Sequence, residues 1–319
     1  MSATAPGGPE TGDWLAKLLA GDRHALSRAI TAVENDTADA APVLRAIFPH
    51  LGRAMVVGFT GAPGAGKSTL VNAYVKVLRA QGKSVGVVAV DPSSPITGGA
   101  LLGDRIRMTG HSGDQGVFVR SLAARGHLGG LSRSAARVID VMDAAGRDVI
   151  VVETVGAGQN EVEIAEIAAV KVVVCAPSLG DDIQAIKAGI LEIADILVVN
   201  KADMPLAERA ARQLGHMARI DGTHRIPVPV VKTVAISGSG VGTLAEAIVA
   251  ASLRQRSTAA PQQRMQRLLA QLAGDAARRL VETTADPAMA ALVDALLKGE
   301  IGFEAAGRAA LDLVRKPAN

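Results

Sequence analysis

The octapeptide Gly61-Ala62-Pro63-Gly64-Ala65-Gly66-Lys67-Ser68 constrains this chain more than any other feature. It satisfies G-x-x-x-x-G-K-[ST] at every fixed position. The run AMVVGFT leads into it with strand composition, and TLVNAYVKVLRA leads out of it with helix composition. A glycine-rich turn set between a strand and a helix lets backbone N–H groups point inward at a helix N-terminus, where the dipole favours anions. The expectation is that Gly61, Ala62, Pro63, Gly64, Ala65, Gly66 and Thr69 wrap phosphates and that Lys67 reaches the β- and γ-phosphates. The Ser68 hydroxyl is expected to ligate Mg2+. The competing reading is a turn that only reverses the chain.

The rest of the chain fits around that loop. Runs rich in Val and Ile at 54–60, 84–90, 116–120, 148–152, 171–175, 195–200 and 229–236 alternate with helix-length segments. Nearly continuous β-branched runs belong to strands covered on both faces. The pattern predicts a P-loop α/β fold with a doubly wound, mostly parallel sheet. Three parts are expected: a helical extension over 1–52, a central domain over 53–255 and a helical arm over 256–319. In the first, Leu26, Ala29, Ile30 and Val33 share one helical face, and a short helix after Pro42 turns Val43, Leu44 and Ile47 inward. In the last, Met265, Leu268, Leu269 and Leu272 make a stripe. Asp286-Pro287 reads as an N-cap followed by Pro at the first helical position. Met289, Leu292, Val293, Leu296 and Leu297 continue to a C-cap at Lys298-Gly299. These helices are too few to bury a core of their own, so a second subunit is the expected cover.

Composition excludes several classes. The 319 residues carry 34 basic and 31 acidic side chains, a net charge of only +3 with no block of one sign, which argues against nucleic-acid or membrane-surface binding. Aromatic residues make up 2%, too few for base-stacking platforms. Cys175 is the one cysteine, so no intrachain disulfide forms, and within KVVVC it reads as a buried strand residue. The N-terminus lacks the pattern of a signal or transit peptide, and Lys171 interrupts the best apolar run. The expectation is a soluble cytoplasmic protein.

Asn200-Lys201-Ala202-Asp203 follows the strand candidate DILVV, where an open sheet presents its ligand loops. A carboxylate at Asp203 can accept from guanine N1–H and N2–H2, donors that adenine lacks. Asn200 is expected at the other edge of the base, with the Lys201 stem over the ring and N–H groups of Ser237-Gly238 behind it. A site built for those donors leaves Asp203 unpaired with adenine, which selects GTP or GDP. Asp91, Asp104 and Glu153 join Ser68 as expected Mg2+ ligands or water positioners, because each lies at a strand end or in the loop between. Glu153-Thr154-Val155-Gly156 stands where a D-x-x-G would sense the γ-phosphate, and Gly156 would offer it an N–H. Gln159, three residues on, is the candidate to orient the attacking water. Slow intrinsic turnover is expected, since phosphoryl transfer depends on alignment and charge neutralisation.

These segments together resemble one family. GFTGAPGAGKSTL, DPSSPITGGALLGDRIRM, SLAARGHLGGLS, ETVGAGQNE and GDDIQAIKAGILEIADILVVNKAD are similar to the MeaB/ArgK GTPases of the SIMIBI class, over nearly the whole chain. The resemblance implies a homodimeric chaperone that gates cofactor loading of an adenosylcobalamin-dependent acyl-CoA mutase and protects that mutase. It admits an adenosyltransferase as a further partner. It also implies that 91–108 and 153–160 act as switches, that 178–187 faces the mutase, and that the C-terminal helices form the dimer arm. Two other classes compete. A nickel-insertion GTPase needs a Cys/His cluster, whereas the six histidines here are scattered. A kinase needs an acceptor pocket and a base beside the γ-phosphate.

Overall fold

Side chains of a strand alternate between faces, so a Val-rich run becomes a strand only where both faces find cover. The computed structural model describes residues 11–92, 113–124, 130–154, 167–177, 188–220 and 227–258, together with 269, 273–274, 276–278 and 280–315. Its strands are β1 (Met55–Gly61), β2 (Val85–Pro92), β3 (Val117–Ala124), β4 (Val149–Thr154), β5 (Val170–Cys175), β6 (Ile196–Val199) and β7 (Val230–Lys232). Among the described residues they build one seven-stranded sheet in the order β3-β2-β4-β1-β5-β6-β7. Every neighbouring pair is parallel. This is the doubly wound α/β architecture expected from the sequence.

The alternation divides the core by face. Val57 and Phe59 of β1, Val149 and Val151 of β4, and Val172 and Val174 of β5 pack under α4 (Lys67–Ala80) and α8 (Val241–Thr258). Ile150 and Val152 of β4 face the other way, onto α2 (Arg23–Glu34), α3 (Ala40–Ile47) and α5 (Gly130–Ala144). Val173, Cys175, Leu197 and Val199 meet α7 (Ala207–Ile220). Cys175 is fully buried, as expected.

The N-terminal helices are part of this core. Asp22 caps α2, its carboxylate accepting from Ala25 N–H at 2.8 Å. The helix buries Leu26, Ala29, Ile30 and Val33, the face read from the sequence. α3 begins at Ala40, two residues ahead of Pro42, because proline is tolerated in a first turn whose N–H groups have no helical partner. Asp143 of α5 then clamps the entry to β1: its buried carboxylate accepts from the N–H groups of Gly52, Arg53 and Ala54 at 2.5, 3.0 and 2.8 Å.

One strand is shorter than expected. The run 229–236 forms a strand only to Lys232, after which Val234 pairs antiparallel with Ser239 in a tight turn. Thr233 N–H still donates to Val199 O of β6 at 2.9 Å, but Ala235 N–H turns to a buried asparagine described below, which takes the rest of this stretch out of the ladder.

The chain divides into two compact units, residues 1–255 and 256–319. In the second, Asp286 caps α9 (Pro287–Leu297) by accepting from Ala288 N–H at 2.8 Å, with Pro287 in the first turn and Gly299 at φ +72° past the end. α10 (Phe303–Arg315) follows. α9 buries no residue and α10 buries Ala306. Of the expected stripe, Leu269 is exposed, while Met265, Leu268 and Leu272 lie outside the described residues. Among the described residues no helix is long and apolar enough to cross a membrane.

Candidate functional site

The connections after β1 run first to one side of it, through β2, β3 and β4, and then to the other, through β5, β6 and β7. In an open α/β sheet the ligand crevice opens at such a switch, outside the C-terminal strand ends. Gly61, the last residue of β1, begins the loop there. Its φ is +134°, and a Cβ on it would lie 2.0 Å from the Val174 carbonyl oxygen of β5. Only glycine fits so close to a neighbouring strand. Gly66 ends the loop as the N-cap of α4 in the left-handed region, at φ +84°. A Cβ there would meet the Asn200 amide nitrogen at 2.6 Å.

Inside the loop, Lys67 is buried, and its ammonium donates to the carbonyls of Gly61 at 2.8 Å and Ala62 at 3.0 Å. Its head therefore sits across the loop mouth, within the arc that backbone amides of a phosphate loop enclose. Ser68, one residue into α4, donates from Oγ to Glu153 Oε1 at 2.5 Å. Glu153 is buried near the end of β4, where it stands opposite Phe59 of β1 and Ala89 of β2. A serine hydroxyl and a carboxylate side by side at the start of a phosphate loop form a hard-oxygen donor pair of the kind Mg2+ takes. The residues present therefore fit the ion that the sequence implies.

Asn200 links the two halves of the site. It follows β6 and is buried; its Nδ2 donates to Ala65 O at 2.9 Å and Gly66 O at 3.5 Å. Its Oδ1 accepts from Thr233 Oγ1 and Ala235 N–H, both at 3.1 Å. Two donors and two acceptor positions exhaust a side-chain amide. Asn200 thus ties the phosphate loop to the loop after β7. Ala202 N–H adds a bond to Thr233 O at 3.0 Å, and Lys201 holds a left-handed φ of +56°. Asp203 is exposed beside them.

The loop after β7 folds into a tight turn. Gly238 N–H donates to Val234 O at 2.9 Å, and Ser237 Oγ donates to the same carbonyl at 3.2 Å. Those groups close a turn, and the residues that touch Asn200 lie earlier, at Thr233 and Ala235. Ile236, 92% exposed between them and the turn, was missed by the sequence reading. An isoleucine in a Val/Ile run looks like strand interior, and nothing in its spacing marks a loop tip. Asp91, next to last in β2, stands opposite Ala123, with its side chain outside the described residues. Asp104, Gly156 and Gln159, and with them most of 91–108, 153–160 and 178–187, also lie outside them.

A parallel sheet wound both ways about β1, with a phosphate loop leading into α4, defines a P-loop α/β protein of the SIMIBI type. A crystal structure of a LAO/AO transport system kinase shares the fold, with a TM-score of 0.59 at 23% identity, covering 98% of this chain and 100% of that one. The sequence is more specific: the family model described as Methylmalonyl Co-A mutase-associated GTPase MeaB matches residues 26–287, and the chain belongs to that family. A Pyrococcus horikoshii relative is 51% identical over 236 residues, 73% of this chain and 74% of that protein. GTPase ArgK of Escherichia coli is 44% identical over 196 residues, 59% of this chain and 58% of its own length. The mitochondrial methylmalonic aciduria type A homolog of Mus musculus is 37% identical over 209 residues, 61% of this chain and 50% of its own.

Proposed function

We propose that the chain is a GTPase acting as a chaperone of an adenosylcobalamin-dependent acyl-CoA mutase, gating cofactor loading and protecting the mutase. The observation that carries the nucleotide part is the Asn200 tether. It joins the loop around Lys67 to the segments that bear Asp203 and Ala235, so phosphates and base of one nucleotide can be gripped by a single cross-linked frame. Lys67 holds the β- and γ-phosphates, and Asp203 accepts from the guanine N1–H and N2–H2. Ser68 and Glu153 hold Mg2+, with Asp91 and Asp104 as the further carboxylates of that set; the ion neutralises charge on the terminal phosphates. Water adds to the γ-phosphorus, the bond to the β–γ bridging oxygen breaks, and GDP and phosphate leave. Gly156 senses the γ-phosphate and Gln159 orients the water. Segments 91–108, 153–160 and 178–187 change order with the γ-phosphate, which is what the mutase reads. The family's description supports the mutase as partner. The chain works as a homodimer through its C-terminal helices.

The test is nucleotide selectivity together with phosphate release. Asp203→Asn removes one acceptor from guanine and supplies a donor to the C2 carbonyl of xanthine. GTP binding should fall by about 100-fold or more while xanthosine triphosphate binding rises. An unchanged GTP preference overturns the base assignment. GTP hydrolysis by the wild type that responds to no cobalamin-dependent mutase overturns the chaperone reading.

A further inference from the structure

At the opposite end of the strands, Arg147 stands out. It is 7% exposed, and its Nε has no hydrogen-bond partner. Among the described residues no carboxylate pairs with it. Its two charged neighbours are themselves guanidinium groups: burial first, then Arg23, then Arg79 all push its pKa down. An enclosed cation without a counter-charge is costly, so such groups are normally paired.

Three elements bring these arginines together. Val85, Val117 and Val149 are in register at the start of β2, β3 and β4, and Arg147 lies two residues ahead of Val149. Arg79, at the end of α4, lies over Gly116, where a Cβ would meet its guanidinium carbon at 2.1 Å. It is neutralised by Asp114, accepting at 2.8 and 2.9 Å. Arg23, in the first turn of α2, donates to Val117 O at 3.2 Å and stacks 5.5 Å from the Phe118 ring centroid. Arg23 is exposed and Arg79 partly so, which makes them a solvent-facing rim to the buried Arg147. With Asp114 assigned to Arg79, two guanidinium charges remain without a carboxylate among the described residues. A phosphate dianion matches that charge, and the planar edge of an arginine suits its oxygens.

We propose that Arg147, rimmed by Arg23 and Arg79, is a second anion site that takes a phosphate group, at the sheet edge opposite the P-loop. The ligand is inorganic phosphate or a phosphomonoester. A residue that merely fills the core would serve as well without its charge, and the test separates the two. The full chain is melted in phosphate-free buffer at constant ionic strength, then with inorganic phosphate and, in a parallel arm, with glycerol 3-phosphate. Wild type and Lys67→Ala should both rise by about 3–5 °C at an anion concentration tenfold above its dissociation constant. In the Lys67→Ala background, Arg147→Met should show no rise and should melt no lower than Lys67→Ala alone in the absence of the anion. Should Arg147→Met not fold, Arg147→Lys keeps the charge without the planar fork, and its apparent phosphate affinity should drop by about tenfold or more. A rise with both anions assigns phosphomonoesters, and a rise with inorganic phosphate alone assigns the free ion. No rise in wild type, a rise lost in Lys67→Ala, or, in that background, an equal rise in Arg147→Met or an undiminished phosphate affinity in Arg147→Lys overturns the proposal. Because Lys67→Ala disables the P-loop, the outcome does not depend on the GTPase reading.

Discussion

The two helical ends of the chain read alike in sequence and behave oppositely in structure. α2 carries its stripe of Leu26, Ala29, Ile30 and Val33 into a cluster with Val138 and Met142 of α5 and Ile150 and Val152 of β4. α9 carries a stripe of the same spacing, yet Leu297 is 79% exposed, and Phe303 at the start of α10 is 84% exposed. A 3.6-residue period says that one face is apolar; it does not say what covers that face. At the N-terminal end the cover is the protein's own sheet, and Asp143 locks the arrangement by gathering the three N–H groups that lead into β1. At the C-terminal end the described apolar side chains remain outside their own unit's core, the pattern an association surface would have.

Three variants would break or sharpen this contrast. The largest effect on stability is expected from Ile30→Ala, which empties a fully buried position in α2 and should cost about 2–5 kcal/mol in chemical denaturation. Trp14, the one tryptophan, packs against the same cluster and gives a local fluorescence signal. If the Trp14 transition moves while the rest of the domain does not, the N-terminal helices are an appendage rather than core. Asp143→Asn comes next. An amide group would face one of the three backbone donors with a donor of its own, and a loss of about 2–3 kcal/mol should appear in the same titration. The smallest effect on stability is expected from removing residues 256–319. The remaining unit should denature within about 0.5 kcal/mol of the full chain, while sedimentation should report monomers in place of dimers. A truncated chain that still sediments as a dimer would put the association surface on the first unit.

Within the site, legibility followed the kind of interaction. The glycines and Lys67 were readable because a phosphate loop is a local object: its turn, its left-handed φ values and its helix N-terminus all lie within eight consecutive residues. Glu153 was readable because it ends a Val/Ile run, and strand ends gather on one edge of a parallel sheet. The partnership of Asn200 with Ala65, Gly66, Thr233 and Ala235 was not readable. It joins segments over a hundred residues apart and depends on how far β7 extends before the chain turns.

What the sequence determined by itself was everything with a short period or a contiguous motif: the alternation that makes strands, the stripes that make helices, the octapeptide that makes the loop, and the family. Tertiary structure alone decided which polar groups answer one another. Hydrogen bonds and ion pairs between distant segments select by distance and direction, and no spacing along a chain encodes them. Asn200, Asp143 and Arg147, which no carboxylate among the described residues answers, became informative only when distant segments were brought to the same place.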